Sequence, residues 1–98
     1  MRVIWTDPAL DRVAEIAVYI AQDDPRAAER WALELFAAVE RLTDFPDSGR
    51  VVPEVGKRAV RELIFGSYRV FYRVSDAVDV LSVRHGSQLL RASDVGED

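Results

Sequence analysis

VRELIFGSYRVFYRVSDAVDVLSVRHG, residues 60–86, reads as three consecutive antiparallel strands. Phe65-Gly66-Ser67-Tyr68 supplies a two-residue turn with glycine at the first central position, the type II′ signature. Ser75-Asp76-Ala77-Val78 supplies the second turn, taken as two-residue as well. On that register Leu63 faces Val70, Arg61 faces Tyr72, Tyr72 faces Leu81 and Val70 faces Val83. Opposed residues share a face, and successive residues alternate. One face is then Leu63, Phe65, Tyr68, Val70, Tyr72, Val74, Leu81 and Val83, and is apolar enough to be a core. The other carries Arg69, Arg73 and Arg84 beside Glu62, Ile64, Phe71 and Val80. Arg69 and Arg84 fall directly opposite each other, an unfavourable pairing of like charges.

Working outward, Arg2 to Thr6 reads as a short strand, and Asp7-Pro8 opens a helix with Asp7 as N-cap. Leu10, Val13, Ile16, Ala17 and Ile20 form its apolar stripe. Asp24-Pro25 repeats the opening. The second helix extends to about Asp44 along the stripe Ala28, Trp31, Leu35, Ala38, Val39 and Leu42, and Phe45-Pro46 ends it. The short link through Asp23 makes the two an antiparallel hairpin. Residues from Pro46 to about Arg58 form a loop. The tail from about residue 87 is polar, either a helical turn or a segment that a partner orders. The order β-α-α-β-β-β is an α+β fold in one domain spanning residues 1–98, its helix pair covering the apolar sheet face and leaving the arginine face open. Trp5 and Trp31 lie on apolar stripes and read as core residues.

The 98 residues suit one domain, and 49% hydrophobic with 31% charged residues is an ordinary globular balance. No apolar run is long enough to span a membrane, and no signal peptide is expected. The chain has no cysteine, which removes disulfides, thiol catalysis and thiolate-held metals and fits a cytoplasmic location. With a net charge of −4 a generic nucleic-acid coat is not expected, yet six basic residues gather between Lys57 and Arg84 against Glu62, Asp76 and Asp79. His85 is the single histidine, so a metal site of the usual kind lacks ligands and no cofactor is expected. His85 is either a structural strand-end residue or a general acid or base. No nucleophile elbow, phosphate loop or spaced carboxylate pair is present. Arg69, Arg73 and Arg84, with Phe71 among them, form a candidate docking face for phosphate-rich RNA or an acidic peptide. Arg50, Lys57, Arg58 and Arg61 add charge at the entrance to the second strand. The plain alternative is a solvated sheet face.

Trp5-Thr6 before Ala9-Leu10, Tyr19-Ile20-Ala21, Asp24-Pro25-Arg26-Ala27-Ala28, Leu42 to Pro46, Gly49-Arg50, Arg61-Glu62-Leu63, Tyr68 to Val74 and Val83-Arg84-His85-Gly86 follow one another in an order that resembles the RelE/ParE superfamily of bacterial toxin–antitoxin toxins. The resemblance covers nearly the whole chain. It implies a compact toxin in a hetero-oligomer with a cognate antitoxin whose C-terminal segment wraps it. Arg61, Arg69, Phe71, Arg73 and Arg84 are the expected contacts with antitoxin or target. RelE-like members cut mRNA on the ribosome without a metal, whereas ParE-like members poison DNA gyrase. Arg69 matches the arginine that RelE-like enzymes place on the phosphate, but Val60 and Glu62 stand where those enzymes carry lysines, and Gly86, Ser87 and Gln88 stand where basic and tyrosine residues are expected. A glutamate-arginine-histidine set would draw on Arg69 and His85 with Glu54 or Glu62. The resemblance favours the ParE-like branch, acting by binding; the alternative is a ribosome-dependent mRNA endonuclease using Arg69, His85 and Arg84.

Overall fold

The computed structural model describes residues 1–56 and 59–86. Strand β1 (Val3–Trp5) leads into helices α1 (Asp7–Ala21) and α2 (Pro25–Glu40). A single 3-10 turn (Arg41–Thr43) follows, then strands β2 (Arg50–Val51), β3 (Val60–Phe65), β4 (Tyr68–Val74) and β5 (Val78–His85). The strands form one sheet in the order β1-β5-β4-β3-β2. β3, β4 and β5 run antiparallel as the turn chemistry requires, while β1 joins the far edge parallel to β5, with Val3 beside Val78. The expected tail from about residue 87 lies outside the described residues.

Local chemistry accounts for the elements. Gly66 has φ +56 and Ser67 does not enter positive φ, which is the type II′ pattern and fixes Leu63 opposite Val70 and Arg61 opposite Tyr72. Asp24 caps α2 by accepting from the backbone N–H groups of Arg26 and Ala27 at 3.0 and 3.3 Å. At α1 the cap is Thr6, not Asp7: its Oγ1 accepts from the Ala9 N–H at 3.4 Å and donates to the Val80 carbonyl at 2.6 Å. One hydroxyl therefore starts the helix and ties it to β5. That tie sets the helix's rotation. Ala9 and Val13 are buried, whereas Leu10, expected in the stripe, is 41% exposed. The α2 stripe is as the spacing predicts, with Ala28, Leu35, Ala38, Val39 and Leu42 buried.

The second turn differs from expectation. Val74 pairs with Val78, so the loop has three residues, Ser75 to Ala77, closed by a bond from the Ser75 N–H to the Ala77 carbonyl at 3.0 Å. A bulge opposite Phe71 and Tyr72 restores the register: Phe71 pairs with Ser82 and Tyr72 with Val80, leaving Leu81 as the extra residue. The bulge exchanges two assignments. Val80 turns into the helix-side core and Leu81 turns to the opposite face.

That core joins Ala9, Val13, Leu35, Val39 and Leu42 of the helical layer to Val70, Tyr72, Val78, Val80 and Val83 of the sheet. Full burial of one such aliphatic side chain contributes about 1.5–3 kcal/mol. Trp5 and Trp31 pack against this cluster, Trp5 edge-on to Phe36 at 4.7 Å and Trp31 edge-on to Tyr68 at 5.3 Å. A smaller cluster lies on the other face, where Val52, Val60 and Phe71 are buried with Val55 and Leu81 against them. The expected loop from Pro46 thus contains strand β2 and a turn that folds over the arginine face. The face is not left open.

Candidate functional site

The register stacks charged residues on the face away from the helices. Arg50 lies beside Glu62 across β2 and β3, Ile64 lies beside Arg69 across β3 and β4, and Arg69 lies beside Arg84 across β4 and β5. Glu62 is the hub. Its side chain is fully buried, and its two oxygens take different arginines: Arg50 Nε donates to Oε1, and Arg69 Nε donates to Oε2 at 2.7 Å. Arg69 then turns its outer edge to the turn before β3. Nη1 and Nη2 donate to the two oxygens of Glu54 at 3.0 and 2.9 Å, a bidentate pairing. The Arg69 guanidinium lies 4.8 Å from the centre of the Phe71 ring.

This arrangement answers the opposition of Arg69 and Arg84. Two carboxylates surround Arg69, which is 7% exposed, so the repulsion is offset locally. The Glu54 hydrogen bonds, with those of Glu62 and the charge of both, hold the guanidinium more firmly protonated than usual in spite of its burial.

The expected site residues do not form one surface. Phe71, expected as a contact residue, is fully buried beneath the arginine. Arg69 is enclosed. Arg73 is half-buried, opposite Val60 and Asp79, and Arg84 is half-buried beside Arg69. Arg61 belongs to the opposite face. It donates to the carbonyl of Gly49 at 2.9 Å and pairs with Asp47 at 3.5 Å, pinning the loop after α2. That loop is also held by the Gly49 N–H, which donates to the Tyr72 hydroxyl at 2.9 Å. A Cβ at Gly49 would meet Tyr72 Cε1 at 2.9 Å, so the close approach requires glycine. Burial pushes the Tyr72 phenol above its ordinary pKa, against the opposing bond from Gly49.

His85 is exposed at the end of β5, on the side of the helices, edge-on to Tyr68 at 5.7 Å. It lines a cleft with Arg12, Glu15, Ile16, Tyr19 and Tyr68. The structure therefore separates His85 from Arg69, as strand alternation requires, and does not assemble a histidine-arginine catalytic pair. Glu54 and Arg50 complete the charged cluster, and the sequence reading left both on its margin. Glu62, the one acid on the expected arginine face, was the available signal. Among the described residues no group of three His, Cys, Asp or Glu side chains could hold a metal ion, and no helix is long and apolar enough to cross a membrane.

Residues 3–90 match the family model described as the ParE toxin of the type II toxin–antitoxin system parDE. The chain is 40% identical over 90 residues to Y4kP of Sinorhizobium fredii, which carries a provisional toxin name, covering 89% of this chain and 90% of that protein. It is 36% identical over 90 residues to Toxin RelE2 of Caulobacter vibrioides, covering 90% of this chain and 98% of the relative. A chain of the solved chromosomal ParDE toxin–antitoxin system from P. aeruginosa superposes with a TM-score of 0.72 at 20% identity. The match covers 87% of this chain and 95% of that one, a likeness of fold. With nearly its whole length matched by the family model, this chain belongs to the ParE toxin family of type II toxin–antitoxin systems.

Proposed function

We propose that this toxin arrests growth by binding DNA gyrase and trapping it on cleaved DNA, and that a cognate antitoxin neutralises it, with no RNA cleavage of its own. The observation that carries the reading is the state of Arg69. Metal-free RNA cleavage needs cations on the scissile phosphate, a base for the 2′-hydroxyl and an acid for the leaving oxygen. Here the arginine at the matching position is 7% exposed and held by two carboxylates, and His85 lies on the other side of the sheet. A binding poison needs a shaped surface instead. The outer side of the helix hairpin offers one, with Tyr19, Val18 and Leu33 exposed at 70%, 64% and 62%. Antitoxin contact is proposed at the outer end of the charged face, at Arg84 and the exposed Ile64, where an acidic and apolar segment would find a cation beside an apolar wall.

The purified toxin, supplied with gyrase, ATP and supercoiled DNA, should accumulate cleaved DNA, and antitoxin should suppress it. Supplied with translating ribosomes, it should leave mRNA intact. The alternative is a ribosome-dependent endonuclease, favoured by the exposed pairing of His85 with Tyr68 and by the name of the RelE2 relative. A-site mRNA cuts that vanish on His85→Ala would establish that alternative and overturn the gyrase reading.

A further inference from the structure

The two carboxylates on Arg69 differ in standing. The Glu62 side chain is 0% exposed and is shared with Arg50, whereas the Glu54 side chain is 29% exposed. Glu54 sits on a tight turn in which the N–H groups of Val55 and Gly56 donate to the Val52 carbonyl at 3.1 and 2.9 Å. Glu54 presents both oxygens to Nη1 and Nη2 of Arg69. Two parallel N–H···O bonds from one guanidinium edge are equally the way an arginine grips phosphate. Beside this pair opens a cleft of about 350 Å³, lined by Arg50, Ile64, Ser67 and Gly86 as well as by Glu54 and Arg69. That is the size of a small-ligand site.

We propose that the outer edge of Arg69, with Arg50 beside it, is a binding site for a small phosphate monoester, and that Glu54 occupies it in cis as a tethered substitute for the ligand. Charge selects the ligand class. Among the described residues Arg50 and Arg69 pair with Glu54 and Glu62, and Arg84 stands beside Arg69, so displacing Glu54 leaves net positive charge facing the cleft. A monoester near neutral pH carries a charge of about −1.5 to −2, more than a carboxylate or a phosphodiester, and competes best with the tethered group. The tether places Glu54 at an effective concentration of roughly millimolar or above, which excludes weakly held anions. Binding would lift the turn away from β4, so the site also couples a soluble phosphate compound to the shape of the charged face. It neither requires nor excludes an action on gyrase.

The test uses the whole purified chain without antitoxin, gyrase or ribosomes. Inorganic phosphate and adenosine 5′-monophosphate are titrated by calorimetry into the wild type, Glu54→Ala, and Glu15→Ala, which removes the same charge from an exposed helical position. Glu54→Ala should bind both probes at least tenfold more tightly than the wild type, and Glu15→Ala should not. Adding Arg69→Gln, or Arg50→Gln should that double variant fail to fold, should abolish the gain. The proposal is overturned by Glu54→Ala unfolding at the wild-type temperature with no gain, by an equal gain in Glu15→Ala, or by a gain that survives loss of the arginine. A short single-stranded oligonucleotide without terminal phosphate that binds Glu54→Ala better than the mononucleotide would overturn the ligand class.

Discussion

On the helix side of the sheet, Val70, Tyr72, Val80 and Val83 meet Val13, Leu35, Val39 and Leu42 in an apolar layer. On the other side, Arg50, Glu62, Arg69 and Glu54 are joined by ion pairs above a small cluster of Val52, Val60 and Phe71. Both sides bury side chains, but different forces hold them. The first is held by the removal of apolar area from water, which is non-directional and tolerates any well-packed set of similar volume. The second depends on direction: each guanidinium nitrogen must find its oxygen, and each buried charge its opposite. Stability resides mainly in the first face, and the second contributes shape and charge placement.

The largest effect should come from the helix side. Leu35→Ala removes a side chain with no exposure and should cost about 2–5 kcal/mol in denaturant unfolding. Wild-type stability there would break the assignment of the core. On the charged side, Glu62→Gln should cost about 1.5–3 kcal/mol, the range for hydrogen bonds to charged groups. The double replacement Glu62→Met with Arg69→Met sharpens the contrast. Removing both charges at once should leave stability unchanged or higher, since a buried pair often only offsets its own desolvation. A double variant less stable than Glu62→Gln would show that the ion cluster contributes net stability and that the two faces are energetically alike.

The smallest effect concerns Tyr72, whose side chain belongs to the apolar layer while its hydroxyl reaches Gly49. Tyr72→Phe should cost about 1 kcal/mol for the lost bond. It should also change the response to alkali. Burial raises the folded-state pKa above the ordinary 10.0, so the unfolded chain loses the phenolic proton first. Stability from this group is therefore full below pH 10.0 and falls as pH rises from there through the folded-state value. Unfolding measured across that range should show the decline in the wild type and its reduction in Tyr72→Phe. Parallel curves would assign the alkaline response to other groups.

The same division explains what could be read in advance. Period-two alternation from Val60 to Phe65 and from Tyr68 to Val74, joined by the glycine turn, specified β3, β4 and the core face, because both are local properties of the chain. The bulge at Leu81 was not legible: Ser75-Asp76-Ala77-Val78 accommodates two loop residues or three, and only packing of Val78 and Val80 against the helices decides. Leu10 failed for a related reason, since the rotation of α1 is set by Thr6 reaching Val80 far along the chain. At the site, arginines in one row were visible by counting, but their neutralisation was not. Glu54 lies on an irregular turn whose geometry no periodicity describes, and it converts an apparent cationic face into a closed ion cluster.

Strand β1 beside β5 has a consequence for the order in which the molecule can be made. Val3, Thr6 and Arg12 leave the ribosome early, but their partners are Val78, Val80 and Val83. A nascent chain still short of β5 has both helices yet lacks the strand on which α1 rests, and such long-range closure is slow. The last described strand thus acts as a completion signal. Until it emerges, the apolar underside of α1 remains uncovered and available to holding chaperones. A single cut within β5 would free β1 and strip α1 of its strand support, at the opposite end of the sequence from the cut.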